Sequence, residues 1–355
     1  MPVHITSRSD AEAIIREQVV STIFQDAPKQ SVFMSMARKL PNMTSDQTRI
    51  RVLDFLPTAY WVDGDTGMKQ TSRQAWDNVY LDAAELAVIV PIPEAVLDDA
   101  EFDIFGEITP RVNEAIGQRV DSAIIFGVNR PRVWQNDIIT LARQAGNNVA
   151  PGSTPDYYNL LLGENGVISK VEEDGYMATG ALAAMGMRAK LRGIKATDGT
   201  PIFKSDMQGS TNYALDGAPM YFPQNGAYDN SIAQLIVGDF KQAVYAIRQD
   251  VTVKILDQGV IQDPITKDIV YNLAQQDMVA LRIVFRMGWA LPNPATRMDE
   301  DRVGCPFAYL EPATPVTTQT VTFTVKDNAS SPVAIEDAIV DVNGSRLKTN
   351  ASGKA

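Results

Sequence analysis

Between Ala84 and Gly127 the spacing of apolar residues switches from every second position to every third or fourth, and that switch constrains the fold more than any other feature. Leu86, Val88, Val90 and Ile92 alternate along one face of a pleated segment. Ala87 and Ile89 make the other face small or apolar, so a strand covered on both sides is predicted. From Asp103 the apolar positions Ile104, Phe105, Ile108, Val112, Ile116, Val120, Ala123, Ile124 and Phe126 define an amphipathic helix. Glu101, Asp103 and Glu107 suit the positive end of its dipole, and Gly127, Asn129 and Pro131 supply stop signals. Pro110 lacks an N–H, which predicts a kink or a restart capped by Thr109. Over roughly 24 residues such a rod is about 36 Å long. It is the backbone of a domain rather than a catalytic element.

The composition then narrows the function. With 355 residues the chain has room for two or three domains and a sizeable core. No apolar run approaches the roughly 18 residues a membrane helix needs, and MPVHITSRSD has no secretory core. The expectation is a soluble protein made in a cytoplasm. One histidine, His4, and one cysteine, Cys305, exclude intrachain disulfides, His/Cys zinc sites and the usual nucleophilic dyads, unless His4 is recruited. A formal charge of −11 argues against general nucleic-acid binding, although the wall of a nucleic-acid container can be acidic.

The first forty residues read as an arm. Asp10 to Phe24 has a helical pattern with Ile14, Ile15, Val19 and Ile23 on one side, and Val32, Phe33, Met34 and Met36 need a partner. Thr48 to Asp82 forms two extended runs, RIRVLDFLPTAYWV and RQAWDNVYLDA, around the turn residues of DGDTGMKQTS: a long β-hairpin. Tyr60, Trp61, Trp76 and Tyr80 then either pack on their own domain or anchor the hairpin on a neighbouring subunit.

Thr154 to Glu164 and Asp174 to Lys195 read as helices. Short strands follow in ATDGTPIF, YALDGAPMYF, SIAQLIVGDF and QAVYAIRQDVTVKIL. Met278 to Leu291 reads as a bent strand or helix-to-strand segment carrying Arg282 and Arg286, and Cys305 to Leu310 as a last strand. Beyond the Pro/Thr linker PATPVTTQT, Thr322 to Val325 and Ala338 to Val342 read as strands with a turn at Asn343-Gly344.

No phosphate loop or dinucleotide fingerprint occurs. The acidic clusters Asp98-Asp99, Glu172-Glu173-Asp174 and Asp299-Glu300-Asp301 lack calcium-loop spacing and read as solvated surface. Lys69, at the hairpin tip, reads as a solubilising charge rather than a reactive amine.

The order of these pieces, and the stretches LAVIVPIPEAVLDDAEFDIFGEITPRVNEAIGQRVDSAIIFG, LDGAPMYF, LIVGDFKQAVYAIRQDVTVKI and DMVALRIVFRMGWALPNP, resemble the major capsid proteins of tailed bacteriophages. That fold is named after phage Hong Kong ninety-seven. Gly238-Asp239-Phe240 and the Arg282/Arg286 strand carry the likeness most specifically, and Asp121 and Phe126-Gly127 belong to it.

The resemblance implies an α+β fold. Its parts would be an N-terminal arm (1–47), an extended hairpin loop (48–83), a peripheral domain with a long spine helix (84–150), an axial domain (151–275) and a return to the periphery (276–312). A linker and partial β-sandwich-like tail (313–355), similar to the start of an immunoglobulin-like appendage, would follow. It implies self-assembly as hexamers and pentamers into an icosahedral shell around double-stranded DNA, in a virion assembled in a host bacterial cytoplasm, with scaffolding, portal and decoration proteins as further partners. No membrane, cofactor, metal, catalytic residue or enzyme activity is implied. Candidate subunit-interface residues are Trp61, Lys69, Arg73, Trp76, Phe33, Met34, Asp239 and Phe240. An encapsulin-type nanocompartment shares the fold and is the nearest alternative, and a carboxylate-based enzyme is a more distant one.

Overall fold

The computed structural model describes residues 31–62, 67–99, 103–152, 155–195, 202, 213–263, 266–313, 325–327, 333–335, 339–342 and 345–348. The helix expected from Asp10 to Phe24 and most of ATDGTPIF lie outside them. The described chain starts with a short helix, α1 (Val32–Met36), and touches down as β1 (Arg38–Lys39). It runs out and back as β2 (Gln47–Phe55) and β3 (Ala75–Asp82), then continues as β4 (Ala84–Pro93). A single turn, α2 (Glu94–Asp98), precedes the long helix α3 (Ile104–Phe126), followed by α4 (Ile138–Gln144) and β5 (Asn148–Val149).

Two short helices, α5 (Tyr157–Leu162) and α6 (Val167–Glu173), lead to β6 (Gly180–Ala183) and α7 (Met187–Arg192). Then come β7 (Ala214–Leu215), β8 (Ala218–Tyr221), β9 (Leu235–Gly238) and the long β10 (Val244–Leu256). A small hairpin, β11 (Val260–Gln262) and β12 (Ile269–Asn272), leads into β13 (Met278–Ala290) and β14 (Phe307–Leu310).

The first sheet has the order β1-β10-β13-β4, and α3 packs on its inner face. Val112, Ile116, Val120 and Ile124 of α3 share one core with Ile283, Phe285, Met287 and Trp289 of β13. Leu86, Val88 and Val90 join that core half-buried, but Glu85, Ala87 and Ile89 are exposed. The expectation that both sides of β4 are covered is therefore corrected. β4 is an edge strand, and its outer row lies beside Arg282 and Arg286, whose charges keep that face wet. Arg286 Nε donates to Glu85 at 2.8 Å.

The helix α3 is unbroken through Pro110. Thr109 caps nothing; its hydroxyl donates back to the Phe105 carbonyl at 2.8 Å. Apolar side chains on both sides of the proline, Phe105 and Ile108 before it and Val112 and Ile116 after it, enter the same core and outweigh the lost hydrogen bond. The helix ends where expected, at Gly127 in the left-handed region with φ 71°, and a side chain there would strike Asp137.

The second sheet has the order β5-β14-β9-β6-β8-β7. Its central strands are buried throughout because both faces are covered. Ala181, Ala183, Leu235, Val237, Ala308 and Leu310 face a core made with α5, α6 and α7. Leu182, Ile236, Phe307 and Tyr309 face the core that contains α3.

Burial on both faces also hides β6 from the sequence pattern. Asp174 to Lys195 is not one helix: Gly175, with φ 83°, ends α6, and Gly-Ala-Leu-Ala is a central strand. With apolar neighbours above and below, every position is small or apolar, and the period of two disappears. Met278 to Ala290 resolves as a continuous strand, not a helix-to-strand segment. Gly238, at the end of β9, is required by close approach, since a Cβ there would lie 2.4 Å from the Phe307 ring and from the Pro306 carbonyl.

Residues 314–355 form a separate unit. Its described parts are the paired strands β15 (Ile339–Val342) and β16 (Ser345–Lys348), and a bridge between Lys326 and Ala334.

Candidate functional site

The hairpin β2–β3 divides into a seated root and a bare tip. At the root, Leu81 is fully buried with Met43, Val244, Ala246 and Ala290 in a small core of its own. Gly288 lets the chain come close, as a Cβ would lie 2.9 Å from the Asp82 carbonyl, and that carbonyl accepts from the Trp134 indole at 3.0 Å. The ladder runs from Gln47↔Asp82 to Phe55↔Ala75 and stops there. This is shorter than the sequence pattern implied. Pro57 cannot donate to a ladder, and residues 57–62 are exposed.

On the ladder and beyond it, several large apolar side chains are bare. Trp61 is 103% exposed and Trp76 63%, with Tyr60, Met68 and Tyr80 also exposed. Lys69 and Arg73 are exposed as well, and the Arg73 guanidinium sits 5.0 Å from the Phe55 ring centroid. Single exposed apolar residues are ordinary on any protein; here several lie on one hairpin.

A residue absent from the sequence reading sets how the hairpin leaves the body. Arg302 donates to Asp54 on β2 and to Asp77 on β3, each at 3.1 Å, and to the backbone carbonyls of Asn293 at 2.9 Å and Pro292 at 3.3 Å. The Asp77 carboxyl is held below its ordinary value, first by the N–H of Asn78 and then by Arg302. One guanidinium thus ties both strands to the loop before β14. No local spacing announces a pair so far apart in sequence.

The arm residues behave differently from the hairpin. Phe33 is fully buried, edge-on to Trp289 with centroids 6.1 Å apart, and Met34 is half-buried with its carbonyl accepting from Tyr245 at 3.1 Å. Phe240 is buried against the Phe307 ring at 5.0 Å. Asp239, half-buried, accepts from Thr179 and Gln242 and caps its own turn through Lys241 N–H. Phe33 and Phe240 are therefore corrected: both fill this chain's own core and have no surface to offer another subunit.

Asp121 of α3 makes the arm's fixed point. Its buried carboxylate accepts from the Ser31 hydroxyl at 2.5 Å, from Val32 N–H at 3.0 Å, from Phe33 N–H at 3.2 Å and from Asn225 Nδ2 at 2.7 Å. Burial pushes the carboxyl above its ordinary value, against the four donors that pull it down. Gly117, one turn earlier, lets the arm lie on the helix, since a Cβ there would meet Ser31 N at 3.0 Å.

A second apolar projection was not singled out from sequence. On β11–β12, Val260, Ile269, Val270 and Tyr271 are exposed. Among the described residues no cluster of three or more His, Cys, Asp or Glu is placed to hold a metal, and no helix is long and apolar enough to cross a membrane. Burial raises the Cys305 thiol to about 12, which favours its protonated form.

Comparisons with known proteins agree with this geometry. The profile of the phage capsid family matches residues 11–296. The major capsid protein of Staphylococcus phage 80alpha is 26% identical over 314 residues, spanning 88% of this chain and 89% of that one. A solved structure from Microbacterium phage Oxtober96 superposes with a TM-score of 0.76 at 32% identity, covering 87% of this chain and 100% of that chain. One from Mycobacterium phage Bobi gives 0.75 at 30% identity, over 88% and 100%. An α+β body built on a spine helix, an open-faced sheet and a projecting hairpin, matched over most of its length, places this chain in one family: it belongs to the phage capsid family.

Proposed function

We propose that this chain is the major capsid protein of a tailed phage, closing as hexamers and pentamers into an icosahedral head around double-stranded DNA. Membership of the capsid family makes it a shell-forming component of a virion. The observation that supports the reading further is the division of β2–β3 into a ladder tied to the body by Arg302 and a tip on which Tyr60 and Trp61 are exposed. A shell subunit needs broad contact area rather than a pocket, and a projecting hairpin adds area without enlarging the core.

Closed shells also need contacts within a ring and between rings. The β2–β3 tip and the β11–β12 projection are two separate apolar surfaces that serve these two purposes. The domain division of the sequence reading, with a peripheral part around α3 and an axial part around the second sheet, is retained as part of this proposal. So are assembly in the host cytoplasm and contacts with scaffolding, portal and decoration proteins.

The contents of the particle test the reading. Particles purified from a producing lysate and treated with nuclease are expected to yield protected double-stranded DNA. Particles filled with an enzyme and free of DNA would contradict it and identify a nanocompartment.

A further inference from the structure

The ladder of the first sheet sets side chains in rows across β10, β13 and β4, and one row carries charge that nothing beside it balances. On the face turned away from α3, Gln249, Arg286 and Glu85 form one row, and Thr252, Val284 and Ala87 the next. Lys254, Arg282 and Ile89 form the third, and Leu256, Ala280 and Pro91 the fourth. The acid in these rows is Glu85, and Arg286 Nε already donates to it at 2.8 Å. Lys254 and Arg282 thus stand directly opposite each other as two cations, and neither forms an ion pair among the described residues. The Arg282 Nε is buried with no hydrogen-bond partner. Like charges facing each other across a ladder destabilise it, and a buried donor left unmade adds to the cost. Ile89, at the end of the same row, is 46% exposed. Two uncompensated cations and a bare apolar side chain form a surface that an acidic, partly apolar segment would complete.

Such a segment lies just beyond β4. In α2 and the residue after it, Glu94, Asp98 and Asp99 are exposed and form no ion pair among the described residues, and Val96 between them is 50% exposed. It cannot serve its own row, because the extended strand from Ile89 to Glu94 holds the two about 17 Å apart. A second copy can. When two copies meet about a two-fold axis with their β4 strands antiparallel, each α2 comes over the other's row, and both contacts form together because one strand fixes the separation in each copy. Nucleic acid is a poorer match, since two cations on a chain of formal charge −11 give little footing for a run of phosphates.

We propose that the row Lys254, Arg282 and Ile89 receives the acidic α2 segment of a second copy in a reciprocal two-fold contact. This rests on the reading of the chain as a shell subunit, and it adds a contact between rings that is separate from both hairpin projections. Charge complementarity gives it orientation on a chain whose copies otherwise repel.

Two measurements on the full chain test this. In particles of a chain carrying Asp98→Cys and Lys254→Cys, mild oxidation is expected to give a reductant-sensitive dimer and nothing larger, because a reciprocal contact closes at two copies; the native Cys305 is buried. A ladder of larger products would overturn the two-fold geometry, and monomer alone would overturn the contact. Separately, Lys254→Glu and the pair Glu94→Lys, Asp98→Lys are each expected to lower particle yield by ~10-fold or more. All three changes in one chain are expected to raise the yield above that of either variant, since the charges are then exchanged rather than removed. Yields that merely compound the two losses would assign the cations to a different acidic partner and overturn the proposal. Wild-type shells that form normally while these tests fail leave the capsid reading intact; a wild-type chain that forms no shell at all overturns both.

Discussion

Deletion of residues 63–72 is expected to leave a folded, soluble subunit that no longer forms closed particles. The ladder from Gln47↔Asp82 to Phe55↔Ala75 lies entirely outside the deleted span, and residues 56–62 and 73–74 remain to close it. The root core around Leu81 and the Arg302 pairs with Asp54 and Asp77 are also untouched. Thermal unfolding of the subunit should thus change little. What is lost is the tip with Met68 and Lys69, and the placement of Trp61 beside it. An interface anchor is worth about 2 kcal/mol, about 30-fold in association constant. A shell closes only when every subunit makes the contact, so the defect compounds over the particle. Trp61→Ala alone is expected to lower particle yield in the same direction without altering the monomer. Normal particles from the deletion, seen by electron microscopy, would remove the hairpin from the assembly account.

Substitution of Asp121 by alanine is expected to destabilise the subunit by about 3 kcal/mol, read by urea denaturation. The change strands four donors: the Ser31 hydroxyl, the N–H groups of Val32 and Phe33, and Asn225 Nδ2. It also frees Phe33 from its seat on Trp289, coupling a lost polar clasp to a lost core contact. A loss below about 1 kcal/mol would mean the clasp is dispensable. The raised carboxyl value fixes the sign of the pH dependence. The folded chain holds that proton more tightly than the unfolded chain, whose value is near 3.8. The contribution of this titration is therefore present in full below that value and is lost as pH rises through the folded one. Asp121→Asn cannot titrate and is expected to remove this slope while keeping one acceptor oxygen.

What could be read from the sequence follows from where each constraint resides. The β4-to-α3 unit was legible because its periods are local and Gly127 marks its end within the same stretch. The outer row of β4 was misjudged because Ala87 and Ile89 look like core residues, whereas the Arg282 and Arg286 beside them are contributed by β13, far along the chain. β6 was lost because a strand buried on both faces has no alternation to detect. In the candidate site Trp61 and Trp76 lie exposed whereas Phe33 and Phe240 lie buried in their own chain's core, although their sequence signals are alike. An aromatic in an arm or turn gives the same local signal whether it meets another subunit or its own core. Arg302 and the Asp121 clasp were invisible as interactions because each is assembled from partners on distant segments.

The central claim is that this chain is built to close on copies of itself. Size-exclusion chromatography followed by electron microscopy of the purified protein, alone and co-expressed with a scaffold, tests it most directly. The account predicts megadalton assemblies that appear as closed shells of uniform diameter. Monomers or small dimers under every condition would contradict it.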